Sequence, residues 1–352
     1  MFKSLQPNSN PGLFGFWTDF WLTSGISIIV ISLLLVFCLP SSFTFTTPNN
    51  LISVTLLFQL FINWPHFMVS YRLLYSQPHV FKRHKSAAIV VPLMLLGIVA
   101  TIFFLSKGDE KQLGWSLLLG YIFWLIASFY LAWHYVGQAW GCFITFSLLV
   151  NHDWDNQKKL ILYWSFRSLI AWHLVWAAQL LPDISLFAWL QSDLLYYGVA
   201  TTAVVGCLAS GSVVIMAWRA KQIDIRSLGI WFSIYFWYLA IFFDNKFILW
   251  VQLAHALQYL VFAARVELNH ASLADNTIIS KKTRTLFIYF CATFLGWLIF
   301  WQAELSTSLG SATPTIIGLV AIAINIHHYY VDSNIWKLRS NSTKRKLFSH
   351  IH

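Results

Sequence analysis

Apolar residues in this chain fall in long unbroken runs, without the period-two alternation of a half-buried strand or the single apolar stripe of a soluble helix. Runs of about 20 residues can cross a hydrocarbon core as helices. Ten are found, at 17–39, 51–76, 87–106, 113–141, 160–181, 196–218, 228–243, 246–265, 285–303 and 314–332. They predict an all-α polytopic transmembrane helical bundle, with residues 1–352 as a single integral-membrane domain. The sixth to eighth runs follow one another so closely that nine or eleven spans stay open. The first run is too long for the core of a signal peptide and is followed by no small-residue cleavage site, so it is expected to remain as a span. Residues 183–195 have the pattern of an interfacial amphipathic helix. Gly206, Ser210 and Gly211 make a small-residue stripe suited to close helix packing.

Composition agrees. Hydrophobic residues make up 58% of the chain and charged ones only 10%, against about 25% charged in soluble domains. That excludes a soluble enzyme, a disordered chain, a coiled coil and a nucleic-acid reader. Aromatic residues reach 18%, with 19 Trp, as belts at two membrane interfaces require. The net charge of +10 is an orientation signal. With loops assigned alternately from a first side at the N-terminus, 19 Lys and Arg fall on that side and three (Lys107, Lys111 and Lys246) on the other, with Arg167 inside a span. By the positive-inside rule the first side is cytoplasmic, both termini included. Residues 333–352 then form a basic cytoplasmic tail, and a multi-pass protein of a bacterial inner membrane is expected. The four Cys lie inside apolar runs and form no C-x-x-C pair, so neither a disulfide framework nor a thiolate metal site is indicated.

The histidines carry the chemical information. None of the twelve lies in an outer loop. His66, His134, His255 and the pair His327-His328 lie inside four spans, mostly toward the cytoplasmic ends, and an ionisable residue at that depth faces the bundle interior. Imidazole is the commonest metal-ligating side chain, and bundles build metal sites from facing helices. These five are the candidate ligands. Asn63, Gln252 and Asn325 precede His66, His255 and His328 by three residues, and Gln138 and Asp332 follow His134 and His328 by four. That spacing suits groups that hold the second N–H of a bound imidazole. Tyr135, Tyr259 and Tyr329 are candidate proton or hydrogen-bond donors, and Asp332 a catalytic carboxylate or further ligand. A second possible metal set comprises His79 with His84 and Glu267 with His270, beside basic cytoplasmic runs where a solvated loop is the plainer reading. Arg167 and His173 suggest a lipid-headgroup contact or a structural bond.

Intramembrane histidines on several helices at one depth resemble the bacterial carotene-cleaving dioxygenases. The resemblance is carried by His66 in WPHF, His134 in WHYVGQ, His255 in LAHALQY and His327-His328 with Asp332 in IHHYYVD. It implies a non-heme iron held by histidines from separate helices, although the family's Pro-His-Gly-x-x-Asp signature is absent. His79-x4-His84 is similar, more loosely, to the first His box of membrane fatty-acid desaturases and hydroxylases, which hold two irons; their H-x-x-H-H boxes are missing. The expected protein is an iron oxygenase, desaturase or hydroxylase with one or two ions, acting on a lipid or isoprenoid, supplied by a cytoplasmic electron donor and binding no nucleic acid. A heme-binding redox protein, with His134 and His255 as axial ligands, and a proton-coupled transporter or lipid-handling protein are the alternatives.

Overall fold

In hydrocarbon a backbone without a sheet partner can satisfy its own N–H and C=O groups only as a helix, and the apolar runs fold accordingly. The computed structural model describes residues 12–38, 57–182, 185–271, 280–308, 316–337 and 340–350. Its helices of eight or more residues are α1 (Phe16–Thr23), α2 (Ile26–Cys38), α3 (Trp64–Tyr75), α4 (Val91–Leu105), α5 (Glu110–Leu149), α6 (Asn156–Gln179), α7 (Asp193–Arg219), α8 (Ile225–Phe243), α9 (Ile248–Ala271), α10 (Lys281–Ser308), α11 (Ile316–Ile335) and α12 (Asn341–Phe348). No strand occurs among the described residues. The expected interfacial helix at 183–195 is instead a short 3-10 turn, Ser185–Phe187, before α7 begins at Asp193.

All ten apolar runs are mainly helical over their described residues, but they do not qualify equally as spans. Among the described residues six helices are long and apolar enough to cross a membrane: Ser86–Leu105, Glu110–Leu149, Asp193–Arg219, Ile225–Phe243, Asn245–Asn269 and Lys282–Trp301. The pair α1–α2, bent by 57°, would make a seventh. Over their described residues the helices of the fifth and tenth runs fall short, as does the second run from residue 57 on. They carry the polar load: His66, Ser70 and Arg72 on α3; Arg167 and His173 on α6; Asn325, His327, His328 and Asp332 on α11. α5, at 40 residues, extends beyond its predicted end at 141, and the added residues Phe143, Phe146 and Leu149 join the main core.

Three interruptions of the helical ladder matter for the site. At Ser24-Gly25 the chain turns between α1 and α2 with Gly25 at φ 79°, and the Thr23 carbonyl accepts a bond from Gln258 Nε2 at 2.5 Å. A π-helical turn, Gln59–Asn63, leads into α3, and a second, Ser86–Val90, leads into α4. Each is followed by a proline, which has no N–H to return to the carbonyl four residues back. The Phe61 carbonyl, left by Pro65, is taken by the Tyr289 hydroxyl. The Ala88 carbonyl, left by Pro92, is taken by the Tyr75 hydroxyl at 3.3 Å.

α9 lies at the centre of the bundle, against α1, α2, α3, α5, α10 and α12. α10 crosses α3 at Gly296, where an added Cβ would stand 2.7 Å from Trp64 Cβ and 3.0 Å from the Trp64 backbone. Two ion pairs tie distant segments together. Fully buried Arg226 meets Asp19 at 3.4 Å, while Asp19 also accepts the Leu13 and Phe14 N–H groups at 2.7 and 2.9 Å. Arg72 grips Glu267 with two bonds of 3.0 and 3.2 Å, joining α3 to α9.

The basic tail docks through α12, whose Leu347 and Phe348 are buried in the main core. Asn269 Nδ2 donates to the carbonyls of Lys346 and Leu347 at 2.8 and 3.1 Å. His350 donates from Nε2 to the Gly12 carbonyl at 2.9 Å, and its Nδ1 lies 3.4 Å from Asn269 Nδ2. Burial, with Arg265 adding to it, pushes His350 below its ordinary 6.5, against the bonds to the Gly12 and Leu347 backbone and against Asp19.

Two outcomes follow. Undocking takes up a proton at His350, so the docked tail is favoured above pH 6.5 and weakens as pH falls from there through the folded value; limited proteolysis of the tail should accelerate on acidification, and His350→Gln should flatten that response. Gly296→Ala should lower stability by about 1–3 kcal/mol through overpacking, read as a fall in Tm in detergent. Gly97→Ala, with nothing within 4 Å of the new Cβ, should leave Tm unchanged or raise it.

Candidate metal centre

Helices α3, α5, α9 and α11 each bring one imidazole to the same point. His66, His134, His255 and His328 are all buried, and each offers a ring nitrogen within 4.8 Å of the others. Ring centroids run around a closed square, His66 to His255 at 5.3 Å, His255 to His134 at 4.4 Å, His134 to His328 at 5.1 Å and His328 to His66 at 4.5 Å. Four nitrogens bound at about 2.0–2.1 Å to one ion would stand about 3.4 Å apart, so only a small contraction separates this square from a coordination sphere.

Each helix delivers its ring for a local reason. Pro65 and the π turn set the start of α3, and there the His66 Nδ1–H donates to the Asn63 carbonyl at 2.6 Å. A carbonyl only accepts, so the lone pair is on Nε2, directed into the square. His134 stacks on Tyr329 at 4.7 Å, and His255 packs against Tyr135 at 4.6 Å. Asp332, one turn beyond His328 on α11, closes the group: its Oδ2 stands 3.4 Å from His328 Nε2 and 3.5 Å from His134 Nε2. The hydroxyls of Ser70 and Tyr259 interact with the same carboxyl.

What marks the group as a binding site is what its atoms lack. Six imidazole nitrogens (His66 Nε2, His134 Nε2, both of His255 and both of His328), both Asp332 oxygens and the Tyr259 hydroxyl are buried with no hydrogen bond of full geometry. One such atom typically costs about 1–3 kcal/mol, and native proteins leave only a few. So many at one point fit a metal ion, which imidazole and carboxylate donors suit. A porphyrin does not fit as well. His134 and His255 touch edge to face at 67°, whereas axial ligands would stand apart on opposite sides of a macrocycle, each about 2 Å from the metal.

Several predicted members lie elsewhere. His327 turns away, because successive residues on a helix point about 100° apart and both His cannot enter the square. Its Nε2–H donates to the Ala87 carbonyl at 2.7 Å, and its ring stacks on Tyr71. That carbonyl is open because in the π turn the Val91 N–H goes to Ser86 and Pro92 has no N–H. The amides do not hold imidazole N–H groups. Gln138 donates to the His255 carbonyl at 2.8 Å and to Gln258 at 3.1 Å; Gln252 accepts from Gln59; Asn325 bonds the Ala321 carbonyl and the Tyr329 hydroxyl; Asn63 acts through its backbone. The looser metal set does not assemble among the described residues. His79 is exposed in a turn with φ 56°, and Glu267 is engaged by Arg72. Burial, then Lys337, Lys346 and Arg83, push His84 below its ordinary value, a cationic setting that repels a metal. The His270 side chain lies outside the described residues. Arg167 lies over the Trp133 and Tyr163 rings at 3.9 and 5.0 Å, and His173 shares a bond with Tyr238 at 3.3 Å; the two do not pair.

No protein-family model, curated protein or solved structure matches this chain. The chemistry of the centre follows from its own residues, which make a neutral four-imidazole cradle with one carboxyl at its edge.

The adjacent histidines give the sharpest check. His328→Gln should reduce bound metal at least tenfold, as measured by mass spectrometry of purified protein. His327→Gln should keep the metal and cost about 1 kcal/mol of stability for the lost carbonyl bond.

Proposed function

We propose that the protein is an integral-membrane oxidoreductase that holds non-heme iron in His66, His134, His255 and His328, with Asp332 beside it, and uses dioxygen to oxidise a lipid or isoprenoid. The observation that carries this reading is the convergence of four buried imidazoles, six of their nitrogens without a full hydrogen bond, and a carboxyl inside an apolar bundle. The charge balance supports it: a divalent ion among neutral imidazoles would leave two charges in a low-dielectric setting, and an ionised Asp332 removes one of them. Bound iron would supply electron transfer to dioxygen. The apolar substrate and dioxygen both partition into the bilayer where the centre lies. Tyr259, its hydroxyl beside Asp332 and without a full hydrogen bond, can pass a proton toward the centre, and Tyr135 packs the His255 ring in place.

In this reading the ten helical runs are ten spans with both termini cytoplasmic in a bacterial inner membrane. The four ligand helices then all run from outside to inside, and electrons arrive from a cytoplasmic donor. The break between α1 and α2 favours a second reading, a proton-coupled transporter, since discontinuous helices line transport sites.

Detergent-purified protein should carry about one equivalent of iron, show no Soret band, and consume dioxygen when given lipid and reductant. His255→Ala should lose both the metal and the oxygen uptake. Protein that neither contains iron nor takes it up from ferrous solution overturns the iron reading, and proton flux in liposomes that survives His255→Ala would favour transport.

A further inference from the structure

A cavity of about 410 Å³ opens between α1, α3, α9 and α10, within the range of small-molecule sites. Its two ends differ. Glu267 and Lys282 line one end, and Glu267 is already engaged by Arg72. From there the lining descends along α10 to Tyr289 and along α9 to Leu260, a drop of about 10 Å on each helix. The body is apolar, with Leu22, Val261 and Leu286 among its walls. The deep end abuts the turns that carry the metal centre. Val69 is one turn from His66 on α3; Leu260 follows Tyr259, whose ring is 5.4 Å from that of His66; the Tyr289 hydroxyl holds the Phe61 carbonyl of the π turn.

The charges select among apolar ligands. Lipid tails are as apolar as the cavity wall, so hydrophobic burial discriminates little inside a bilayer, and the polar end must. Arg72 and Glu267 pair with each other, which leaves Lys282 as the further charged residue among the described lining. Arg265, stacked at 4.2 Å on the lining residue Phe14, stands behind this wall near Asp19 and does not line the cavity. From this juxtaposition of a cationic rim, an apolar shaft and a floor formed by the metal-bearing turns, we infer that the cavity binds a single-chain amphiphile with an anionic headgroup, head at Lys282 and tail toward the metal centre. The inference rests on the proposed oxidoreductase reading for calling this ligand the substrate; the binding site stands on the cavity alone. It selects a headed lipid over a headless isoprenoid.

The test uses full-length protein in nanodiscs and a palmitic acid bearing a diazirine near its tail end, with adducts mapped by mass spectrometry and metal measured on the same sample. Adducts are expected on the α9 and α10 peptides holding Val261 and Leu286, competed by palmitate and not by palmityl alcohol. Leu286→Trp, at an exposed position that tolerates bulk, should abolish them with metal content unchanged. Lys282→Gln should weaken competition by palmitate about fivefold, as loss of one partly solvated charge contact allows. Labelling spread equally over lipid-facing residues such as Leu93 and Leu208, or equal competition by the alcohol or by β-carotene, overturns the inference. Iron-loaded protein that does not label loses only the lipid site. Metal-free protein that labels keeps the site and loses the oxidoreductase reading.

Discussion

Unpaired polar atoms in a low-dielectric interior are the constraint around which this molecule is organised. A membrane bundle offers neither water nor a polar surface to relieve a buried imidazole, so each one present must be held by protein or by a ligand. His327 Nε2, His173 Nδ1 and His66 Nδ1 are held by protein, through Ala87, Tyr238 and Asn63. The six nitrogens of the central square are not. Other buried polar atoms of the bundle also lack a full bond, His173 Nε2 among them, but at the centre six imidazole nitrogens lie open at one point, and that concentration argues for a ligand more strongly than the number of histidines does.

The backbone supplies much of the positioning. Departures from regular helix free carbonyls, and several of these are used. Pro65 and the π turn release Phe61 to Tyr289, which binds α10 to the start of α3 just before His66. The second π turn releases Ala87 to His327, which fixes the rotation of α11 and so directs the next residue, His328, into the square. The break after Thr23 presents a carbonyl to Gln258, whose Oε1 accepts from Gln138, which in turn grips the backbone of His255. His327 and Gln138 thus act on the centre without touching it.

The fold class and four of the five histidines were legible because both signals are local: run length gives helices, and a His within a run must face inward. His327 was misplaced because a dipeptide was treated as a unit, although the helical repeat by itself sends its two side chains about 100° apart. The amides were legible as polar partners but not as to which group they would bond, because freed backbone carbonyls, invisible in a pattern of side chains, competed for them. Asp19–Arg226 and Arg72–Glu267 left no mark in the sequence, since their partners are 207 and 195 residues apart and nothing local links them. The expectation of ten equal spans met a physical limit of the same kind. Hydropathy measures what a helix presents to lipid on average, and α3, α6 and α11 hold polar residues turned inward.

That mismatch links fold to function. α3 and α11 carry two of the four imidazoles and Asp332, and they are among the helices that fall short as independent spans. Neighbours hold both in place: α3 through the Gly296 crossing, the Tyr289 bond and the Arg72–Glu267 pair, and α11 through the His327–Ala87 bond. α5 and α9, which carry the other two imidazoles, are apolar enough to span by themselves. Half of the square is therefore mounted on self-sufficient helices and half on helices held by tertiary contacts. The metal, if it ties all four together, stabilises the second half as well as being positioned by the first. Assembly of the bundle and assembly of the centre are then one coupled equilibrium, and loss of a ligand on α3 or α11 disturbs packing more than loss of one on α5 or α9.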